Sequence, residues 1–320
     1  MRRPEVSIVL PTWNRLPLLR RAVDSVLAQT HRDFELIVAD DGSTDGTRDY
    51  LEAIEDRRVR PIWLEHRSDL TSARSAGLRH VRGEWVAFLD SDDLWLPEKL
   101  ALQRQRLAAH PTCRWSYTGY SLIDADGRPL PERSARLDRP LSGRILELVL
   151  GFKIVPAIQT TLVQRSLIEE IGGFDKAIAI RSDFDFTLRL AARSEVCALP
   201  ENLTLVREHS GRTTAQLRQV DLYCDNERAF RKAAATATDR RIRILCLRQC
   251  AMQLIGQAGA LSREGSHRAA LAALAHAARD VPFNKAPKPP SVICSASTTS
   301  LNGSTISCRG RQRALGRGLL

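Results

Sequence analysis

The sequence predicts an α/β protein built on a mostly parallel sheet flanked by helices. Two observations carry that reading. Residues 6–93 alternate apolar runs with stretches of helical spacing, as expected of strand–helix–strand crossovers. Polar chemistry then collects just after those runs, and in an open α/β sheet the C-terminal strand ends are where ligands bind. At 43% hydrophobic residues over 320 positions, the chain can bury a large domain plus an appendage.

The predicted strands are 6–10, 34–39, 59–64 and 85–89, with helices over 16–27, 44–54 and 71–81 between them. The first strand leads into Pro11-Thr12-Trp13-Asn14-Arg15, the second into Asp40-Asp41-Gly42-Ser43-Thr44-Asp45-Gly46. Ser43, Thr44 or Asp45 can cap the helix that follows, whereas one of two adjacent acids at a strand end usually faces the crevice. A carboxylate there can accept from a ribose hydroxyl or a base N–H. The fourth strand ends in Asp90-Ser91-Asp92-Asp93. These acids repel one another unless a divalent cation or a basic side chain sits among them. Alternation points Asp90 and Asp92 to one side, where they can share a hard cation through oxygen. No G-x-G-x-x-G follows the first strand and no G-x-x-x-x-G-K-[ST] occurs anywhere, so a metal must hold any bound phosphates.

Four ordered segments now stand out: Val6-Ser7-Ile8-Val9-Leu10-Pro11-Thr12-Trp13-Asn14-Arg15, Ala39-Asp40-Asp41-Gly42-Ser43, Ala73-Arg74-Ser75-Ala76-Gly77, and Phe88-Leu89-Asp90-Ser91-Asp92-Asp93. Together they resemble the family 2 glycosyltransferases with the GT-A fold. The resemblance implies a Rossmann-like GT-A sheet and an inverting, metal-dependent transfer from a nucleoside-diphosphate sugar, UDP-sugars favoured. Pro11, Thr12, Asn14 and Arg15 would border the base, Asp41 would contact base or ribose, and Arg74 and Ser91 would lie by the donor. Asp90 and Asp92 would bind Mg2+ or Mn2+, with Asp93 supporting the site or capping the next helix. Ser75 departs from the family's usual Asn.

The remainder of this half is less regular. A helix over 97–109, a strand over 114–123, an Asp124-Ala125-Asp126-Gly127 hairpin turn, a polar loop over 128–143, a helix over 145–150 and a strand over 157–163 are expected. Ser182-Asp183-Phe184-Asp185 is similar to the family segment whose second acid is the catalytic base. That implies Asp183, with Ser182 and Arg181 where the family carries an acid and a glycine. Asp183 equally reads as an acid favoured by a helix N-terminus, and the two roles are compatible. Leu205-Val206-Arg207-Glu208-His209 resembles the segment that brings a third ligand, His209, to the metal; a solvated loop histidine is the other reading. His31, His66, His80, His110, His267 and His276 have no comparable context.

These assignments divide the chain into a catalytic domain over 1–215 (nucleotide-sugar half about 1–97, acceptor half about 98–215), a basic helical extension over 216–281 and a disordered tail over 282–320. Residues 216–320 carry 17 Lys and Arg against 6 Asp and Glu, leaving 31 of each before them, so the entire net charge of +11 belongs to the C-terminal third. There, Ile244, Leu247, Ala251, Leu254, Ala258 and Leu261 form one helical stripe, followed by a second helix over about 267–279. The pair reads either as packing on the catalytic domain or as a peripheral contact with anionic lipid and lipid-linked acceptors. Nucleic acid is not an expected partner, because Tyr223, Phe230 and Phe283 are the only aromatics after residue 215. With no run of roughly 20 apolar residues and no signal-like start, the expected location is the cytoplasm, with a peripheral position at the membrane's cytoplasmic face as the alternative. Cys113, Cys197 and Cys224 read as isolated, reduced thiols, and Cys246 and Cys250 as buried ones. A nucleotide-sugar binder with a decayed site is the rival; a nucleotidyltransferase lacks its glycine- and basic-rich loop.

Overall fold

The four N-terminal apolar runs form one parallel block. The structure, a computed structural model, describes residues 3–66, 70–134, 140–209 and 217–280. These lie in one unit, Met1–Asn284, while the second unit, Lys285–Leu320, and with it nearly all of the tail expected to be disordered, falls outside the described residues. Strand β1 (Val6–Thr12) pairs in parallel with β2 (Phe34–Asp40) and β4 (Trp85–Phe88), and β2 pairs in parallel with β3 (Val59–Trp63). Every residue of β1, β2 and β4 is buried, as strands covered on both faces require. Helix α1 (Leu16–Leu27) turns Leu19, Ala22, Val23 and Val26 onto one face, where they join Ile8, Leu10, Ala87 and Leu89. Val9, Val86 and Phe88 point the other way into a second core.

The expected helices hold with tightened ends. Asp45 accepts from the Thr47 hydroxyl and amide, so α2 (Thr47–Glu52) starts three residues later than expected. Helix α3 (Leu70–Leu78) crosses β1 closely because Gly77 carries no Cβ; one there would collide with Val9.

The second half completes the sheet. Strand β5 (Leu94–Trp95) and α4 (Lys99–Ala109) follow the aspartates. The Pro97 carbonyl accepts from Thr30 N–H, placing Pro97 in the turn before α4 rather than inside it. Next come β6 (Cys113–Ile123), α5 (Pro131–Ser134), α6 (Leu146–Leu150), β7 (Thr161–Gln164), α7 (Arg165–Ile171), α8 (Ser182–Arg193) and β8 (Glu195–Arg207). The strand expected over 157–163 begins instead as a 3-10 turn, Ile158–Thr160. There the Thr160 and Thr161 hydroxyls bond the Ala157 and Ile158 carbonyls, drawing the backbone from the ladder. Among the described residues the strand order is β3-β2-β1-β4-β7-β6-β8-β5, with β7 antiparallel to β4 and β6, β8 parallel to β6 and β5 antiparallel to β8. Asp124 turns the chain as expected: its carboxylate accepts from Asp126 and Arg128 N–H, which hold it below the usual range, while Gly127 takes φ +94. The polar 128–143 stretch contains α5, and its residues 135–139 lie outside the described residues.

The cysteine reading needs correction. Cys113 and Cys197, 84 positions apart, are brought together by the parallel β6–β8 ladder and are joined as a disulfide. Cys246 and Cys250 are buried thiols as expected, and burial pushes Cys246 up to about 11.

Among the described residues the C-terminal region holds three helices, α9 (Gln219–Thr236), α10 (Arg240–Arg263) and α11 (His267–Asp280). Helix α9 was not expected. Its presence explains why α10 buries Cys246, Cys250 and Gln253 beside the expected Ala251, Leu254 and Ala258, since α10 packs against both neighbours.

Candidate functional site

The parallel register brings the loops after β1, β2 and β4 to one edge, with Thr12 opposite Asp40 and Phe88 opposite Val9. Hydrogen bonds sew these loops together. Asn14, at φ 47, accepts from Thr44 N–H at 2.7 Å and donates its own N–H to Ser43 Oγ at 2.9 Å. Its side chain therefore serves the loop–loop junction. Ser43 in turn donates to Asp40, whose carboxyl burial raises above its ordinary value despite that bond. Asp45 accepts from Leu16 N–H at the start of α1, and this bond with those from Thr47 outweighs burial and lowers it. Asp40 and Asp45 thus build the loop, while Asp41 turns to His66.

Asp41 is buried and its Oδ2 stands 3.0 Å from His66 Nδ1. The His66 ring stacks on Trp13 with centroids 4.4 Å apart, and Trp13 is 46% exposed. Gly42, at φ +76, lets the chain pass against His66. His66 was set aside in the sequence because its partners lie far from it along the chain, at 13 and 41; nothing local announces it.

The aspartates after β4 find positive partners. Arg74 Nη2 meets Asp90 Oδ1 at 2.5 Å, and Arg15 Nη1 meets Asp92 Oδ2 at 2.6 Å. His209 Nε2 lies 3.1 Å from that same Asp92 oxygen. Arg74 is almost fully buried; burial opposes its charge, yet Asp90, Asp183 and Asp92 raise its pKa overall. Its guanidinium thus bonds Asp90 and lies within electrostatic reach of Asp92 and of Asp183 in the other half. Asp93 is turned inward, accepting from Arg207 N–H at 2.8 Å and Gln159 Nε2 at 2.9 Å, which makes it a support for the loop. Ser91 is buried within the turn, and Pro11 sits in the ladder opposite Ala39.

Arg207 was missed in the sequence. At the end of β8 it is fully buried, with Nε donating to the Asp92 carbonyl and Nη1 to the Asp124 and Ala125 carbonyls. It clamps the aspartate loop to the hairpin turn. Burial, reinforced by nearby Arg21, lowers its pKa.

Asp183 is half-buried in the first turn of α8, and its Oδ1 accepts from Phe184 N–H. Asp185, by contrast, is fully buried and paired with Arg189 at 2.5 Å. Ser182 Oγ lies 2.8 Å from the Thr71 hydroxyl, so α3 steadies α8 through Thr71 and Asp90 through Arg74, residues three apart on one helix face.

The donor chemistry at Asp90, Asp92 and His209, two carboxylates and an imidazole, fits a hard divalent cation. Among the described residues no three His, Cys, Asp or Glu side chains stand as a preformed cage, and guanidinium groups compensate the aspartates. Two buried polar atoms at this edge, Thr12 Oγ1 and Arg74 Nε, have no partner among the described residues, as suits a pocket for a polar ligand.

Comparison with known proteins follows this geometry. The family description Glycosyl transferase family 2 matches residues 7–152. A putative teichuronic acid biosynthesis glycosyltransferase, TuaG, of Bacillus subtilis is 43% identical over 130 residues, 40% of this chain and 51% of that protein. An uncharacterized glycosyltransferase of Rickettsia prowazekii is 30% identical over 238 residues, 72% of each chain. Aligned regions span between 30% and 51% of several other curated relatives, TuaG included. Among solved structures, S. aureus TarS 1–349 in complex with UDP-GlcNAc superposes with a TM-score of 0.68 at 18% identity, covering 87% of this chain and 82% of that one. The mannosyltransferase PcManGT of Pyrobaculum calidifontis, in complex with GDP-Man and Mn2+, superposes with a TM-score of 0.58 at 22% identity, covering 87% and 76%. The fold is that of these proteins.

Proposed function

The chain belongs to glycosyltransferase family 2, and from that premise we propose that it moves a sugar from a nucleoside-diphosphate sugar to an acceptor hydroxyl with inversion at the anomeric carbon. The observation that carries this reading is Arg74: a buried cation paired with Asp90 and within electrostatic reach of both Asp92 and Asp183. In the proposed step the Asp183 carboxylate takes the acceptor proton as that oxygen bonds to the anomeric carbon. The bond from that carbon to the diphosphate breaks, and its electron pair leaves with the phosphate oxygen. Arg15 and Arg74 are the guanidinium groups nearest the aspartates, so they are assigned to bind the diphosphate and compensate its growing charge. Asp90, Asp92 and His209 would hold Mg2+ or Mn2+, which when bound adds positive charge to the leaving diphosphate. Asp41 and the exposed Trp13 face are assigned to the nucleoside, with Pro11, Thr12 and Asn14 forming the floor and rim and Ser91 beside the donor.

A UDP-sugar is the favoured donor, in line with the ligand of TarS, and GDP-mannose, the ligand of PcManGT, is the alternative. The acceptor is proposed to be a saccharide or lipid-linked saccharide of a cell-surface polymer, in line with the naming of TuaG. No described helix is long and apolar enough to cross a membrane. A peripheral position on the cytoplasmic membrane face is proposed from α11, where exposed Leu271 and Leu274 lie on the same helix as exposed Arg268 and Arg279. The domain division is likewise proposed as catalytic over 1–215 and basic helical over 216–281.

The test is release of nucleoside diphosphate from UDP-glucose, UDP-GlcNAc and GDP-mannose with Mn2+ or Mg2+, for the native chain, Asp92→Ala and Asp183→Asn. Metal-dependent release lost in both variants supports the assignment. Donor binding without turnover, with glycan and membrane acceptors supplied, returns the decayed-site reading.

A further inference from the structure

The segment leading into Asp183 is gripped from outside the region that the family description covers. Helix α8 begins with Arg181 at its N-cap position, and no side chain of its own caps it. The missing acceptor comes from α9. Asp225, 4% exposed, receives Ile180 N–H at 2.8 Å and Arg181 N–H at 3.3 Å on Oδ2, while its Oδ1 meets Arg228 at 3.1 Å. The adjacent Asn226 accepts from Arg181 Nε at 3.1 Å and donates to Gln253 Oε1 of α10 at 3.2 Å. The Arg181 guanidinium lies over the Phe184 ring, 5.4 Å from its centroid. One residue further on, Ser182 is held from α3 by Thr71.

We propose that Asp225 and Asn226 are positioning residues: they fix the turn of residues 180–182 and so hold the Asp183 carboxylate where it meets the acceptor hydroxyl. This rests on Asp183 being the base. Arg181 and Ser182, which depart from the family pattern, are on this view repacked positions whose partners have moved to α9 and α3. A buried carboxylate that accepts from two successive backbone N–H groups is a stiff anchor, because one side chain then fixes the direction of both peptide units. Helices α9 and α10 of the helical extension then brace the acceptor half, and a chain cut at residue 215 would lose the anchor.

The test uses the full chain and the variants Asp225→Ala, Asp225→Asn and Asn226→Ala, with Arg231→Ala on the exposed side of α9 as control. Hydrogen exchange of the Ile180 and Arg181 amides reads the anchor directly. Asp225→Ala should lose about tenfold or more of their protection, and Asp225→Asn, which keeps an acceptor oxygen, should keep most of it. UDP affinity should stay within about twofold, while kcat for nucleoside diphosphate release in the presence of acceptor falls about 30- to 100-fold in Asp225→Ala and less in the other two. Unchanged exchange at Ile180 and Arg181, or an unchanged kcat in a folded Asp225→Ala, overturns the proposal. So does an equal loss of UDP affinity and kcat with no rescue by Asn. Should Asp225→Ala not fold, Asn226→Ala decides by kcat against UDP affinity, an unchanged kcat in that variant overturning the proposal. A normal exchange response with Asp183→Asn fully active would instead fault the choice of base.

Discussion

Lys99 sits in the first turn of α4 with its side chain fully buried. Its Nζ donates to Gln103 Oε1 at 2.8 Å and lies 4.1 Å from the centroid of the Trp95 ring. Burial drives its pKa well below the ordinary lysine value. In the unfolded chain the amine titrates at about 10.4, so wherever the folded amine is neutral and the unfolded one protonated, folding gives up that proton at a cost in stability. Because the folded value is the lower one, the unfolded chain binds more protons between the two values. Native stability therefore rises with pH through that window, by about 1.4 kcal/mol per unit where the amine is neutral in the native state and protonated in the unfolded one. The perturbation is Lys99→Met together with Gln103→Leu, which removes the amine and the acceptor it would orphan. Urea unfolding at pH 7, 8 and 9 should show the native chain gaining on the double variant as the pH rises, by at most about 1.4 kcal/mol per unit. A difference that stays flat or falls over that range would refute the claim that burial weakens proton binding at Lys99. The same packing reaches the site, since Trp95 Nε1 donates to the Gln159 carbonyl and Gln159 Nε2 to Asp93.

Three further outcomes are expected. Arg207→Met should lower unfolding free energy by about 4 kcal/mol, since it strands the Asp92, Asp124 and Ala125 carbonyls and frees the aspartate loop; denaturant titration measures it, and a loss under about 1 kcal/mol would mean the clamp is idle. Asp183→Asn should abolish acceptor-dependent release with little change in melting, whereas Asp185→Ala should cost about 3 kcal/mol of stability by leaving Arg189 without its buried partner; calorimetry beside the release assay separates the two. Trp13→Ala should weaken UDP binding by about tenfold through loss of a stacking face, read by titration calorimetry, and unchanged affinity would remove Trp13 from the nucleoside pocket.

The N-terminal half was legible because its information is local. Strands buried on both faces are apolar runs, and the crossovers between them carry helical spacing, so β1, β2, β3, β4 and α1 could be located from sequence alone. Asp90, Asp92, Asp41 and Arg15 stand at the ends of those runs. The acceptor half resisted because its pairings are remote. Strand β8 mixes Pro200, Glu201 and Asn202 with apolar residues and pairs with β6 through several register shifts, so periodicity had little to show. Helix α9 carries buried Asp225 and Asn226 on the face that packs inward, which blurs its apolar stripe.

By itself, the sequence determined the α/β class, the order of the parallel strands' loops and the residue types gathered at their ends, because backbone preference and burial act over a few neighbouring positions. The tertiary structure alone decided which cations meet those acids. It paired Arg74 with Asp90, stacked His66 on Trp13, buried Arg207 beneath the aspartate loop, joined Cys113 to Cys197, and turned Asp185 inward while leaving Asp183 half-exposed. The His66, Arg207 and cysteine contacts span tens of residues along the chain. Their existence depends on sheet register and helix packing, which no local pattern records.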